Sequence, residues 1–124
     1  MTFPLDATGD DYCYLTTAGR VTGRAHEIEI WFAYADGALY FLAGARDRSD
    51  WVRNLLVDPA VRVRVRDVTM TATARVVTDR DEESRARALV YTKYQPRYEG
   101  ELVSWRQRAL PVAADVKGLA GDQS

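Results

Sequence analysis

The stretch Val61-Arg62-Val63-Arg64-Val65-Arg66 alternates a β-branched apolar residue with a guanidinium without a break. Successive side chains point to opposite sides only in a strand, so these valines can be buried together only on a sheet with one dry and one wet face. After Asp67 the run from Val68 to Val76 is again rich in β-branched residues, which gives an antiparallel pair.

The same period recurs upstream. Tyr12 to Thr17 is aromatic and β-branched, Ala18 to Gly23 supplies a glycine-bearing turn, and His26, Ile28, Ile30 and Phe32 then alternate with Glu27, Glu29 and Trp31. This is a hairpin with one buried face. Asp36-Gly37 suits a tight turn because glycine accepts positive φ, and it leads into a third strand, 38–43. Ser49 and Asp50 open a short helix whose Trp51, Val52, Leu55 and Leu56 form one stripe, and Asp58-Pro59 ends it. Thr78 to Asp81 offers an N-cap, and Glu83 and Arg87 can pair one turn apart, so a helix runs to Tyr91 or Tyr94 before Pro96 interrupts it. Leu110, Val112, Ala114 and Val116 mark a last strand within 108–117, which Pro111 should confine to a sheet edge. The expectation is a mainly β (α+β) fold: a split β-barrel of about six antiparallel strands with a short central helix and a C-terminal helical segment. One domain spans residues 1–124, with 1–10 and 118–124 expected to be flexible.

The charge balance of 17 Lys and Arg against 18 Asp and Glu lacks the basic excess a nucleic-acid binder uses to displace phosphate counterions. Cys13 is the sole cysteine, which excludes an internal disulfide, and the N-terminus lacks the basic start and apolar run of a secretory signal. Charged residues interrupt every hydrophobic segment, so no transmembrane segment is expected and the cytoplasm is the expected compartment.

No Gly-x-Ser-x-Gly elbow, His-Glu-x-x-His, Walker loop or Gly-x-Gly-x-x-Gly is present. No metal site is expected. His26 stands alone and reads as a structural or pocket-lining residue, and Cys13 reads as a buried small hydrophobe. A reactive group would therefore come from a bound cofactor. In the turn from Thr16 to Arg24, two glycines open backbone N–H groups, Thr22 adds a hydroxyl, and Arg20 and Arg24 add positive charge, a set that can hold an anion. The alternative is an ordinary hairpin with solvated arginines. Arg46 and Arg48, just before the short helix, could converge on the same anion. Arg62, Arg64 and Arg66 read as the wet face of a strand. Trp51, Asn54 and Leu55 read as helix-to-barrel packing, with Asn54 capping a neighbouring backbone. Tyr91, Tyr94 and Tyr98 have spacings that align rings along one side, either to wall a flat ligand or to fill a core.

Gly19-Arg20-x-Thr22-Gly23-x-x-His26, then Trp51-x-x-Asn54-Leu55-x-x-x-Pro59-x-Val61-x-Val63, then Thr71-Ala72-Thr73-Ala74-Arg75 together resemble the deazaflavin-dependent nitroreductases. These belong to the flavin/deazaflavin oxidoreductases built on the pyridoxamine-phosphate-oxidase split barrel. The resemblance implies a homodimer using coenzyme F-420, with hydride transfer from the reduced ring to a small planar acceptor such as a quinone, an enone or a nitro compound. It places the cofactor's anionic phosphodiester and glutamyl tail against Arg20, Thr22, Gly23 and Arg24, with Arg46, Arg48, Trp51 and Asn54 completing the cradle. Tyr91, Tyr94 and Tyr98 would orient the acceptor, one of them as a possible proton donor. An FMN-binding reductase of the same fold, and a non-catalytic cofactor-binding or dimerisation module, are the alternatives.

Overall fold

The computed structural model describes residues 4–119. Seven strands, β1 (Cys13–Ala18), β2 (Ala25–Ile30), β3 (Ala33–Ala35), β4 (Ala38–Ala43), β5 (Ala60–Val65), β6 (Val68–Val76) and β7 (Leu110–Leu119), form one antiparallel sheet in the order β2-β1-β5-β6-β7-β4-β3. Helix α1 (Asp50–Val57) links β4 to β5, while α2 (Arg80–Tyr94) and α3 (Val103–Arg108) lie between β6 and β7.

The predicted second strand is in fact two. It breaks at Trp31-Phe32, and the halves become the two opposite edges of the sheet. Laid flat, seven strands would hold those edges about 29 Å apart, whereas a two-residue link reaches about 11 Å. The sheet must therefore curl until its edges nearly meet, which makes it a split barrel. Tyr94 and Lys93 at the end of α2 clamp the crossing point. The Tyr94 hydroxyl accepts from the Phe32 N–H (3.0 Å) and donates to the Asp11 carbonyl (2.8 Å), and the Lys93 ammonium donates to the Phe32 carbonyl (2.8 Å).

The barrel interior takes the inward residues of each strand, among them Leu15, Val63, Met70, Leu39, Phe41 and Val112, with Val52 and Leu55 of α1 closing one end. A second core lies between the outer face of β4 and β7 and the helices α2 and α3, built from Tyr40, Leu42, Val90, Tyr94 and Leu102. Strand β4 is buried on both faces, and for that reason its sequence is continuously apolar rather than alternating. Pro111 does not mark an edge, since β7 runs between β6 and β4. Its carbonyl accepts from Val77 just beyond the end of β6, so its missing N–H falls where that ladder has run out. At the ends of the chain, Leu5–Ala7 form a 3-10 turn tied through Asp6 and Asp10 to Arg66, and Gly118 and Leu119 belong to β7; residues 1–3 and 120–124, the rest of the segments expected to be flexible, lie outside the described residues.

Helix α2 begins as its sequence indicates, with Asp79 accepting from the Glu82 N–H (2.9 Å), and Glu83 and Arg87 pair at 2.8 Å. Its first turn is fixed to the sheet by Arg75, whose guanidinium meets both Glu82 (2.7 Å) and Asp115 (2.8 Å), while Tyr40 donates to Glu82 at 2.7 Å. The hydrogen bonds from Arg75 and Tyr40 hold the Glu82 carboxyl down at about 2, against an ordinary value of 4.5. A depressed carboxylate stabilises the fold above its unfolded pKa and loses that contribution as pH falls through the folded one. Stability should therefore drop between about pH 4.5 and 2. Glu82→Gln should flatten this acid limb in urea titrations at stepped pH, by on the order of 1 kcal/mol after allowing for solvent screening around the part-exposed Arg75.

Candidate functional site

The β1–β2 hairpin ends in a six-residue turn, 19–24, closed by bonds from the Gly19 N–H to the Arg24 carbonyl and from the Gly23 N–H to the Gly19 carbonyl, both 2.7 Å. Two glycines are needed here for different reasons. Gly23 sits at φ +77°, where a Cβ is strained, and a Cβ on Gly19 would come within 2.8 Å of the His26 ring.

Helix α1 reaches the turn through one side chain. Asn54, 4% exposed, accepts from both the backbone N–H (3.1 Å) and the guanidinium (2.9 Å) of Arg20, and donates to the buried Thr17 hydroxyl (3.1 Å). Asp50, one turn earlier on α1, takes the other end of the Arg20 guanidinium at 3.1 Å. Turn, strand and helix are thus one hydrogen-bonded unit, and Arg20 is oriented before any ligand arrives.

Between the turn and α1 lies a cavity of about 460 Å³. Trp51 and Ile28 give it apolar walls, Arg20 and Thr22 a polar one, and His26 closes the side. The Trp51 indole stands edge-on to Phe41 of the barrel core, so that wall is rigid (ring centroids 6.1 Å, 76°). Asp50 borders the cavity against the single guanidinium of Arg20, whereas Glu27, also in its lining, meets Arg64 of β5 at 3.7 Å. A second hollow, about 600 Å³, lies beside the same hairpin where β1 meets β5 and β6, with Gly23, Thr16, Thr73, Arg62 and Lys117 among its lining.

Of the residues singled out in the sequence, Arg20, Thr22, Trp51 and Asn54 meet at the inner cavity. Gly23 borders the outer hollow, and Arg24 ends the turn, its backbone N–H donating to the Thr22 hydroxyl at 3.3 Å. Asn54 caps the Arg20 backbone as read: its carbonyl oxygen takes two bonds and one of its two N–H groups makes a third, so it positions the turn. Arg46 and Arg48 line neither hollow. They sit on a 3-10 turn before α1, where Arg46 donates to the Arg108 carbonyl at 2.6 Å and Arg48 reaches the Ala45 carbonyl at 3.5 Å.

The three tyrosines also stay apart from the cavity. Tyr94 is 2% exposed, stacks on Trp31 (4.4 Å, 2°), and spends its hydroxyl on the barrel seam. Burial lifts that hydroxyl well above the usual phenol range, unsuited to giving up a proton. Tyr91 lies under the Arg106 guanidinium, and Tyr98 stands edge-on to Trp31 with half its surface open. This cluster gathers at Trp31, at the opposite end of β2 from the turn, about 17 Å of strand away. Cys13 is buried in the barrel, and burial pushes its thiol up to about 12, which leaves it inert at neutral pH. Sequence reasoning missed Thr17, Asp50 and Ile28 at the cavity, because each is an unremarkable member of a strand or helix until the fold is known. Among the described residues no cluster of three potential metal ligands occurs.

The chain is a split barrel with a mixed aromatic and cationic cavity beside its first hairpin. Residues 4–117 match the F420H2-dependent quinone reductases, and the chain belongs to that family. It is thus an oxidoreductase dependent on coenzyme F-420. No match was found among curated proteins. Among solved structures it is similar to an F420-H2 dependent reductase (20% identity over 87% of this chain and 95% of that one, TM-score 0.67). It is also similar to an FAD-binding protein from Mesorhizobium loti (16% identity, 95% and 92%, TM-score 0.66) and to a protein described as a domain-swapped dimer (21% identity, 87% and 81%, TM-score 0.69). At these identities the likeness is one of fold.

The Asn54 clamp yields a direct expectation. Asn54→Ala leaves the Thr17 hydroxyl and the Arg20 N–H without partners and should cost about 1–3 kcal/mol of stability. Urea unfolding should show the loss, and amide exchange at Arg20 should accelerate beyond what global destabilisation explains.

Proposed function

We propose that the inner cavity holds the ring end and phosphodiester of coenzyme F-420, and that the enzyme reduces a small quinone. The observation that carries this reading is the pre-oriented Arg20, held by Asn54 and Asp50 at the mouth of a cavity with a rigid indole wall. A volume of about 460 Å³ is within the range of cofactor pockets, and Trp51 and Ile28 offer flat apolar surface to a fused ring. One guanidinium suits one phosphodiester charge, with Thr22 and the turn backbone adding donors. The bound cofactor supplies the hydride chemistry. The protein's own groups orient it, exclude water from one ring face, and hold the single negative charge.

The role expected of Arg46 and Arg48 passes to Arg20 alone in this reading, since both lie outside the cavity lining. Of the three tyrosines only Tyr98 has a face open to an acceptor, and Tyr94 serves the fold. We also place the enzyme in the cytoplasm as a homodimer. The absence, among the described residues, of a helix long and apolar enough to cross a membrane agrees with the first point, and the domain-swapped relative supports the second.

Side-by-side titration with F-420 and FMN, followed by stopped-flow reoxidation with a water-soluble quinone, tests the proposal. F-420 should bind more tightly than FMN, and quinone should reoxidise the bound reduced cofactor. Arg20→Ala should weaken F-420 binding by about 1.5–3 kcal/mol, whereas Arg48→Ala should leave affinity within about twofold. Tighter FMN binding, or no effect of Arg20→Ala, would overturn the assignment.

A further inference from the structure

We propose that His26, the chain's sole histidine, is the proton donor that completes quinone reduction in the inner cavity. The inference rests on the reading of that cavity as the place where bound F-420 meets a small quinone.

The reaction sets the requirement. A quinone that has accepted hydride is a hydroquinone monoanion, and one further proton must reach its oxyanion. Water can supply it, but a positioned acid speeds such a step by roughly 10²–10⁴-fold. The side chains expected to serve are committed elsewhere. Tyr94 spends its hydroxyl on the barrel seam, Tyr91 lies under Arg106, Tyr98 stands against Trp31, and Cys13 is sealed in the barrel. Of the charged residues lining the cavity, Arg20 is a guanidinium that does not release its proton, Asp50 is its ion-pair partner, and Glu27 is turned to Arg64. His26 is left, and imidazole is the side chain whose charge changes between about pH 5 and 8.

Its surroundings suit the task. His26 lies opposite Thr17 in the β1–β2 ladder, and the Thr17 hydroxyl is taken by Asn54 of α1, so the two share the hairpin face turned to the helix. No hydrogen bond or ion pair ties the imidazole among the described residues. Gly19 makes room for the ring, since a Cβ there would stand 2.8 Å from Nε2 and 3.0 Å from Cδ2. His26 is exposed to solvent as well as bordering the cavity. A proton donor needs both sides, one toward the substrate and one toward the water that recharges it.

The charges around the ring favour the donating form once the cavity is filled. Arg20 from the turn and Asp50 from α1 oppose each other as a pair, Thr17 and Asn54 are neutral, and Glu27 on the same strand points away with Arg64. The charge that changes on loading is the cofactor's phosphodiester, and a nearby anion favours imidazolium. In the step itself the imidazolium N–H bond breaks, an O–H bond forms on the hydroquinone monoanion, and the neutral imidazole takes a proton from water. Quinone, hydride and one solvent proton thus give hydroquinone, with the protein restored.

A single histidine gives one set of imidazole resonances, which need no assignment in untagged protein. An NMR pH titration of the native chain, free and with F-420, should show the midpoint moving to higher pH on binding. In stopped-flow, reoxidation of the bound reduced cofactor by a water-soluble quinone should slow as pH rises through the loaded midpoint. His26→Gln should slow it by about 10- to 100-fold and abolish that pH limb. Free imidazole should restore part of the rate to His26→Ala, which a merely structural role does not allow. A midpoint unmoved by F-420, or variants that reoxidise at the native rate with the native pH profile, would overturn this proposal and leave the function standing. Failure of the native protein to bind F-420, or of quinone to reoxidise it, would overturn both.

Discussion

The shortness of the link between β2 and β3 governs this molecule. Two residues, Trp31 and Phe32, connect the opposite edges of a seven-stranded sheet, so the sheet can exist only in curled form. Closure alone would leave an open seam with unpaired backbone along two edges, which is a pairing hazard. Tyr94 and Lys93 occupy part of that seam with hydrogen bonds to Phe32, and the stacked Trp31 covers it. The C-terminal helical segment thus serves as the closure of the barrel. This explains why Tyr94, Tyr98 and Trp105 all meet the Trp31 ring.

Curling also creates the cavity. It brings α1, which plugs one end of the barrel with Val52 and Leu55, against the tip of the first hairpin, and leaves a hollow where a turn and a helix meet without filling the angle between them. Such an angle would be mobile if only van der Waals contact joined its walls. Asn54 fixes it with three hydrogen bonds made by one buried amide, and such a hub specifies one geometry because any slippage leaves polar groups unpaired.

Much of this was legible in the residues, and the parts that were not have physical reasons. The alternation at 61–66, the Asp36-Gly37 turn, the α1 stripe and the Glu83–Arg87 pair are local signals, set by neighbours in sequence, and each is present as read. Leu56 is the exception in the α1 stripe, at 58% exposure, because the buried Asn54 occupies the face it was expected to share. The break at Trp31-Phe32 was hidden because alternation continues straight through it; only the long-range pairing of β3 with β4 reveals two strands. Pro111 misled for a related reason: the rule that proline lies at an edge concerns the missing hydrogen bond, and a central strand satisfies it equally well where a neighbour stops. At the cavity, Arg20 and Thr22 are legible from the chemistry of the turn and Trp51 and Asn54 only through the family resemblance, whereas Arg46 and Arg48 are drawn in by proximity in sequence to α1, which does not fix direction.

The two faces of the first hairpin follow from the same strand alternation that sets the fold. On β1 and β2, Leu15, Thr17, His26 and Ile28 share one face, and Thr16, Ala18, Ala25 and Glu27 share the other, where Glu27 meets Arg64 of β5 at 3.7 Å. A one-residue shift in register would exchange the two sets, so the placement of Thr17 under Asn54 is tied to the burial of the valines on β5.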